Sequence, residues 1–236
     1  LELVKEKGVN NGIYYPSRIL IQFKDSDINN IISNKIPNDF SASLQLFSSE
    51  HTNLSQNQEV EVFAISQSWD EGTGRYSNLP ISSNGCSWLY RDGSPDAISN
   101  DPLGTKWATA SLSTGVTSSF IEASPGGGTW YTGSGGYEGI GPLEFTQSFN
   151  LRSDKDLDVN ITDALRVWYS SSKNLNAGKI DISNQGFIVK WDDTQEFITS
   201  SAISPQLSYY SIDTNTIYPP QLEIKWDDSV YETGSL

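Results

Sequence analysis

A chain of 236 residues with 29 Asp and Glu against 15 Lys and Arg carries a formal charge of −14. Nucleic acids and anionic membranes are held by clustered Lys and Arg; here those residues are scattered, so neither is expected as a partner. One cysteine, Cys86, and one histidine, His51, exclude an internal disulfide and any zinc site built on several Cys or His.

Hydrophobic residues are 36% of the chain, and Ser, Asn, Thr and Gly make up the balance, as in many-turned β proteins. No apolar run approaches the ~20 residues that span a bilayer, and Leu1 opens no signal-peptide pattern. The chain lacks methionine altogether, so it is read as a processed product or part of a longer one. Its length suits a single domain over 1–236.

In chain order, Ser17–Phe23 alternates, with Ile19, Ile21 and Phe23 opposite Arg18, Leu20 and Gln22, which predicts a half-buried strand. Ile28, Ile31 and Ile32 fall at helical spacing after Asp25, Ser26 and Asp27, so a short surface helix is expected over 25–35. Strands follow at Ser41–Phe47 and Glu59–Ile65. Residues 66–142 are Gly-, Ser- and Trp-rich and read as a long loop-rich insertion. Alternation resumes at Leu143–Leu151. After a short apolar segment at Leu157 and Val159, Thr162 is the expected N-cap of an amphipathic helix through Leu165 and Trp168. Strands are expected again at Gly186–Trp191, Leu207–Ile212 and Gln221–Trp226, the last behind Pro219-Pro220. Trp168, Trp191 and Trp226 are read as core. The pattern as a whole predicts an all-β fold: an antiparallel, jelly-roll-like β-sandwich with long Gly/Ser/Trp-rich loops and two short helices.

Catalytic chemistry has few carriers here. Nucleophilic hydrolysis needs a nucleophile, a base and an orienting acid, and His51 sits in the polar stretch Ser48–Asn53, where a solvated loop histidine is the expectation. Cys86 is expected to be a buried, inert thiol. Asp70, Glu71, Glu122, Glu138 and Glu144 are the carboxylates from which a glycosidase pair could be drawn, although an acidic chain always offers such candidates. Gly126–Gly128 and Gly133–Gly136 lack the Lys-Ser/Thr ending of a P-loop and read as turns. No cofactor is expected. Asp25-Ser-Asp27 and Asp154–Asp158 are oxygen-rich enough for a structural calcium ion, without EF-hand spacing. The aromatics stand out more. Trp88, Tyr90, Trp107, Trp130 and Tyr131 fall in the glycine-rich part and are the candidates for exposed interaction or glycan-stacking positions. The competing expectation is that they cap the sandwich and pin its loops.

Several segments carry a resemblance: Ser17–Phe23, Ser66-Gln-Ser-Trp-Asp-Glu-Gly-Thr-Gly74, Gly128-Thr-Trp-Tyr131, Asn184–Lys190 and Pro220–Trp226. Together they resemble DNRLRE-type β-sandwich domains, which are similar in shape to carbohydrate-binding modules. Trp88–Gly93 and the ending Trp226–Leu236 are similar to virion structural proteins of contractile-tailed phages of marine cyanobacteria. The family's eponymous hexapeptide is absent, so no ligand residues carry over. The resemblance implies a non-enzymatic particle component of the tail, baseplate, fibre or neck. Such a component would be assembled in the host cytoplasm and would contact other virion proteins within a symmetric assembly. The alternative reading is a carbohydrate-binding module for a cell-surface glycan.

Overall fold

The computed structural model describes residues 1–7, 14–34, 39–54, 56–73, 84–93, 104–107, 121–123, 127–131, 143–169, 182–196 and 205–227. In chain order its elements are β1 (Glu2–Leu3), β2 (Lys5–Lys7), β3 (Tyr14–Pro16), β4 (Ile19–Ile21), α1 (Asp25–Asn34), β5 (Phe40–Leu46), β6 (Ser48–Thr52), β7 (Gln58–Ala64), β8 (Tyr90–Asp92), β9 (Thr105–Lys106), β10 (Ile121–Ala123), β11 (Thr129–Tyr131), β12 (Glu144–Phe149), β13 (Leu157–Asn160), α2 (Thr162–Tyr169), β14 (Phe187–Trp191), α3 (Asp193–Glu196), β15 (Gln206–Tyr209) and β16 (Gln221–Trp226). The fold is mostly β, with antiparallel pairing throughout the described ladders.

Two sheets enclose the main core. One is four-stranded in the order β12-β7-β14-β4, the other three-stranded in the order β13-β5-β16. Alternation places Val60, Val62, Val189 and Trp191 of the first against Ala42, Leu44, Leu46 and Val159 of the second, and all are buried in one cluster. A third sheet, β1-β15-β6, adds Leu3, Leu207 and Tyr209 to the same core. Each such side chain contributes roughly 1.5–3 kcal/mol through burial. Helix α2 closes the core with Ala164, Leu165, Val167 and Trp168.

Registers across the four-stranded sheet make rows. Phe145, Val62, Val189 and Ile19 are successive cross-strand partners facing the core. The neighbouring row, Glu144, Phe63, Ile188 and Leu20, faces the other way. Three of its four members are apolar, so this outer face needs a cover. Phe63 and Ile188 lie in a second buried cluster with Ile65, Trp107 and Trp130, against which Leu20, Trp69 and Cys86 pack. Strand β14 is consequently buried at every position, the signature of a strand covered on both faces.

Several expectations are corrected. Thr162 lies inside α2 rather than at its N-cap: the first helical bonds go to the Ile161 carbonyl, Asn160 Oδ1 accepts from the Thr162 amide at 3.0 Å, and the Thr162 hydroxyl accepts from the Ala42 amide at 2.9 Å and ties the helix to β5. Trp226 ends an edge strand and is 38% exposed rather than core. Leu151 and Ile212 lie beyond the ends of β12 and β15 and are exposed. His51 lies on β6, opposite Leu207, not in a loop, although its side chain is exposed. Helix α3 was not expected; Asp192 starts it, its Oδ1 accepting from the Gln195 amide at 3.0 Å. The described residues of the insertion 66–142 include two short ladders, β8-β9 and β10-β11.

Candidate functional site

Of the five aromatic candidates, Trp107, Trp130 and Tyr131 are buried, which corrects the expectation that they are exposed. Trp107 donates from Nε1 to the Ser87 carbonyl at 2.9 Å. Trp130 stacks on Phe63 with centroids 5.6 Å apart. Its backbone bridges Ile65, continuing the end of β7. Tyr131 turns into the main core. Trp88 and Tyr90 are half-buried. The structure brings Trp88 and Trp130 together around one side chain, Arg18; Tyr90 instead lies under the Lys106 ammonium, 5.8 Å from its ring.

That arrangement follows from the outward phase of β4 and β14. Arg18, just before β4, is buried and paired with buried Glu196 of α3, Nε to Oε1 at 2.7 Å and Nη2 to Oε2 at 2.6 Å. Its Nη1 donates to the Gly127 carbonyl at 2.9 Å. The guanidinium lies 4.6 Å from the Trp88 ring and 5.1 Å from the Trp130 ring, a cation–π geometry. One step along the face, Lys190 opposes Glu61 in the ladder and donates to it, to Asp193 at 2.8 Å and to the Trp191 carbonyl at 3.0 Å. Its ammonium lies 5.8 Å from the same Trp130 ring. Burial opposes the charge on Lys190, but its bonds to Asp193 and Glu61 outweigh that and hold its pKa above the usual value. Trp130 therefore roofs two buried cations, each neutralised by carboxylates.

Glycine allows the loop to approach this closely. Gly128 has φ 118°, and a Cβ there would lie 2.7 Å from Ile188 Cδ1. Gly127, at φ 77°, would place a Cβ 2.6 Å from Arg18 Nη1. The described part of the Gly126–Gly128 run thus serves a close backbone approach. Gly133–Gly136 lies outside the described residues. A second clamp is Asn184. Its Oδ1 accepts from the Gly186 amide at 2.9 Å, and its Nδ2 donates to Asp25 at 2.9 Å and to the Tyr169 hydroxyl at 2.7 Å. It thereby joins α1, α2 and the start of β14.

Two concavities stand out among the described residues. A groove of about 1030 Å³ runs between this layer and residues 17–25, with Trp69, Trp88 and Trp107 on its walls and Asp25, Asp70 and Glu71 among its acids. A more open hollow of about 770 Å³ lies at one end of the sandwich, bordered by Phe40, Glu144, Arg166 and Trp226. The described carboxylate candidates divide between the two. Asp70 and Glu71 belong to the groove and Glu144 to the hollow, while Glu138 and the Glu122 side chain lie outside the described residues. Asp70 is engaged by the Gly72 amide at 2.8 Å, and Asp154 by the Lys155 amide. Among the described residues no three His, Cys, Asp or Glu converge as metal ligands. Burial, with Asp70 and Glu71 nearby, pushes the Cys86 thiol up to about 11, which keeps it protonated near neutrality.

The Arg18–Glu196 and Lys190–Glu61–Asp193 constellations were not anticipated from the sequence. A usable signal existed: Phe187-Ile-Val-Lys-Trp191 is a continuous apolar run with a single lysine, and a buried lysine must find partners. No protein-family model matches the chain, and comparison with curated proteins and with solved structures gives no match either.

Proposed function

We propose that this chain is a structural component of a phage particle, in the tail, baseplate, fibre or neck region, acting through contacts with other virion proteins. It would be built on a jelly-roll-like sandwich of DNRLRE type. The observation that carries the reading is how the aromatics and buried charges are used. Trp107, Trp130, Arg18 and Lys190 hold a loop-bearing layer against a sheet, so these side chains serve packing rather than chemistry. The chain also crosses between the two main sheets at every step from β4 through β5, β7, β12, β13 and β14 to β16 except β7 to β12, the alternation a jelly roll requires. The resembling motifs support the same reading: Trp69 of the Ser66–Gly74 segment anchors to the Gln185 carbonyl at 2.8 Å, next to the Asn184 clamp. The reading is non-enzymatic and needs no cofactor.

Mass spectrometry of purified particles, joined to electron microscopy, tests it. The chain should occur at a fixed symmetric copy number. Particles of normal composition and shape made without it would refute the role.

The groove favours a second reading, attachment to a cell-surface glycan. Trp69 and Trp88 line it with half-buried rings, and Asp25, Asp70 and Glu71 offer acceptors for sugar hydroxyls. A glycan array probed with the wild-type chain and with Trp88→Ala tests this. Binding lost in the variant supports it, and no signal from the wild type removes it.

A further inference from the structure

Strand β16 lies at the edge of its sheet, paired along Gln221–Trp226 with β5 alone among the described residues. Such an edge presents unpaired backbone N–H and C=O groups to any strand that can match it. Its side chains alternate: Leu222 and Ile224 pack against the core, while Glu223 and Lys225 project from the opposite face and pair with each other at 2.8 Å.

We propose that the partner of this edge is the same edge of a second copy, related by a two-fold axis through Ile224. Antiparallel pairing about that axis is self-complementary at every neighbouring position. Glu223 falls opposite Lys225 of the second copy, and Lys225 opposite its Glu223. Together with the pair already made within each strand, these close a square of alternating charge. On the other face, Leu222 falls opposite Trp226 of the second copy and covers the indole that is 38% exposed in the single chain. Directly opposed residues in an antiparallel pair share a face, so each match is geometrically allowed. A two-fold contact of this kind is isologous and closes on itself.

Two further observations agree. Of the six exposed large hydrophobics among the described residues, Ile212, Ile217, Tyr218 and Trp226 lie on β16 or on the segment leading into it. Tyr218 is braced there by Phe47 and Tyr210, with centroids 5.5 and 6.4 Å away. Pro219 and Pro220, which lack N–H donors, end the available ladder just before Gln221. A six-residue pairing buries less than a standard interface, so the dimer will be concentration-dependent. The proposal rests on the assembly reading above for its purpose, while the pairing is tested apart from it.

Sedimentation velocity over a concentration series of the chain, with Glu223→Lys, Lys225→Glu and the double swap, is the test. Both side chains are solvent-exposed, 37% and 69%, so the fold should tolerate the changes. The wild type should dimerise. Each single reversal places like charges opposite each other twice per dimer and should weaken the dimer by roughly ten-fold. The double swap should restore it, and hydrogen exchange at Gln221–Trp226 should slow with concentration in the wild type and the swap. A wild type that stays monomeric, a dimer indifferent to the reversals, or a swap that fails to rescue would each overturn the proposal. Absence of the chain from particles would overturn the virion role and leave the dimer standing.

Discussion

The four-stranded sheet has two covered faces of unlike construction. Its inner face is closed by another sheet, and the contact is dominated by apolar side chains: Val60, Val62 and Val189 against Leu44, Leu46 and Val159. Its outer face is closed by loops and short two-stranded ladders, and there the cover uses polar fastenings: Arg18 to the Gly127 carbonyl and Trp107 to the Ser87 carbonyl. The difference has a physical origin. A strand satisfies its backbone within its own ladder, whereas a loop brings unpaired peptide groups that must be met by side chains if they are to be buried. Arg18 serves that need at the Gly127 carbonyl, and buried Arg18 and Lys190 each require a carboxylate because an unpaired buried charge is costly.

The contrast can be broken at either face. Trp130→Ala should cost about 3–5 kcal/mol and do so locally: hydrogen exchange should accelerate at Ser66 and Gly127–Tyr131 more than at Leu44–Leu46. Leu44→Ala, at about 2–5 kcal/mol, should instead lower protection throughout. Equal loss of protection at both faces in Trp130→Ala would show that they form one cooperative unit. Arg18→Met leaves Glu196 charged and buried, with an expected loss of about 3–5 kcal/mol in urea unfolding. The Arg18→Met, Glu196→Met pair should recover most of it, because two apolar side chains need no desolvation compensation. Gly128→Ala, forced onto φ 118° and against Ile188, should cost roughly 1–3 kcal/mol.

Alkaline pH should loosen the outer face first. Lys190 is held above its ordinary value of 10.5 despite burial, and burial raises Cys86 from 9.0 to about 11. Burial also raises Tyr169 and Tyr209 above 10.0, Tyr169 with added help from Asp25. For each group the folded state holds its proton more tightly than the unfolded chain. Their contribution is therefore complete below the unfolded values and falls as pH rises through the folded ones. Stability should decline from about pH 9 upward, with tryptophan fluorescence changing as the Trp130 roof lifts. Insensitivity to pH 11 would contradict this assignment. The smallest effect concerns chemistry rather than stability: half-buried Cys86, its thiol held protonated, should react with a disulfide reagent more slowly in the folded chain than in urea, and equal rates would contradict that shielding.

Much of the inner architecture was legible in the sequence because alternation is a local signal. Strands β5, β7, β12, β14 and β16 and helices α1 and α2 fall where periodicity places them. The pattern failed where burial has no period. Strand β6, Ser-Ser-Glu-His-Thr, is almost wholly exposed and carries no apolar phase to read. Trp226 follows the inward phase of β16, yet an edge position at a sheet's end leaves it uncovered. Trp107 and Trp130 stand isolated among turn residues, and nothing local distinguishes a ring that stacks on a ligand from one that stacks on Phe63. Glu196 lies 178 positions from Arg18, and a pairing over such a distance leaves no trace in spacing.

Among the described residues, Trp69 on Gln185, Gly127 on Arg18 and Trp130 on Phe63 tack the cover onto the outer face. Chain length between such tacks is thermodynamically inexpensive, since each doubling of a loop adds only about 0.6 kcal/mol of closure entropy. Extra length between the tacks therefore carries little penalty to the scaffold, so lineages facing new neighbours could refit this side of the molecule while the apolar rows of the sandwich behind it stay untouched.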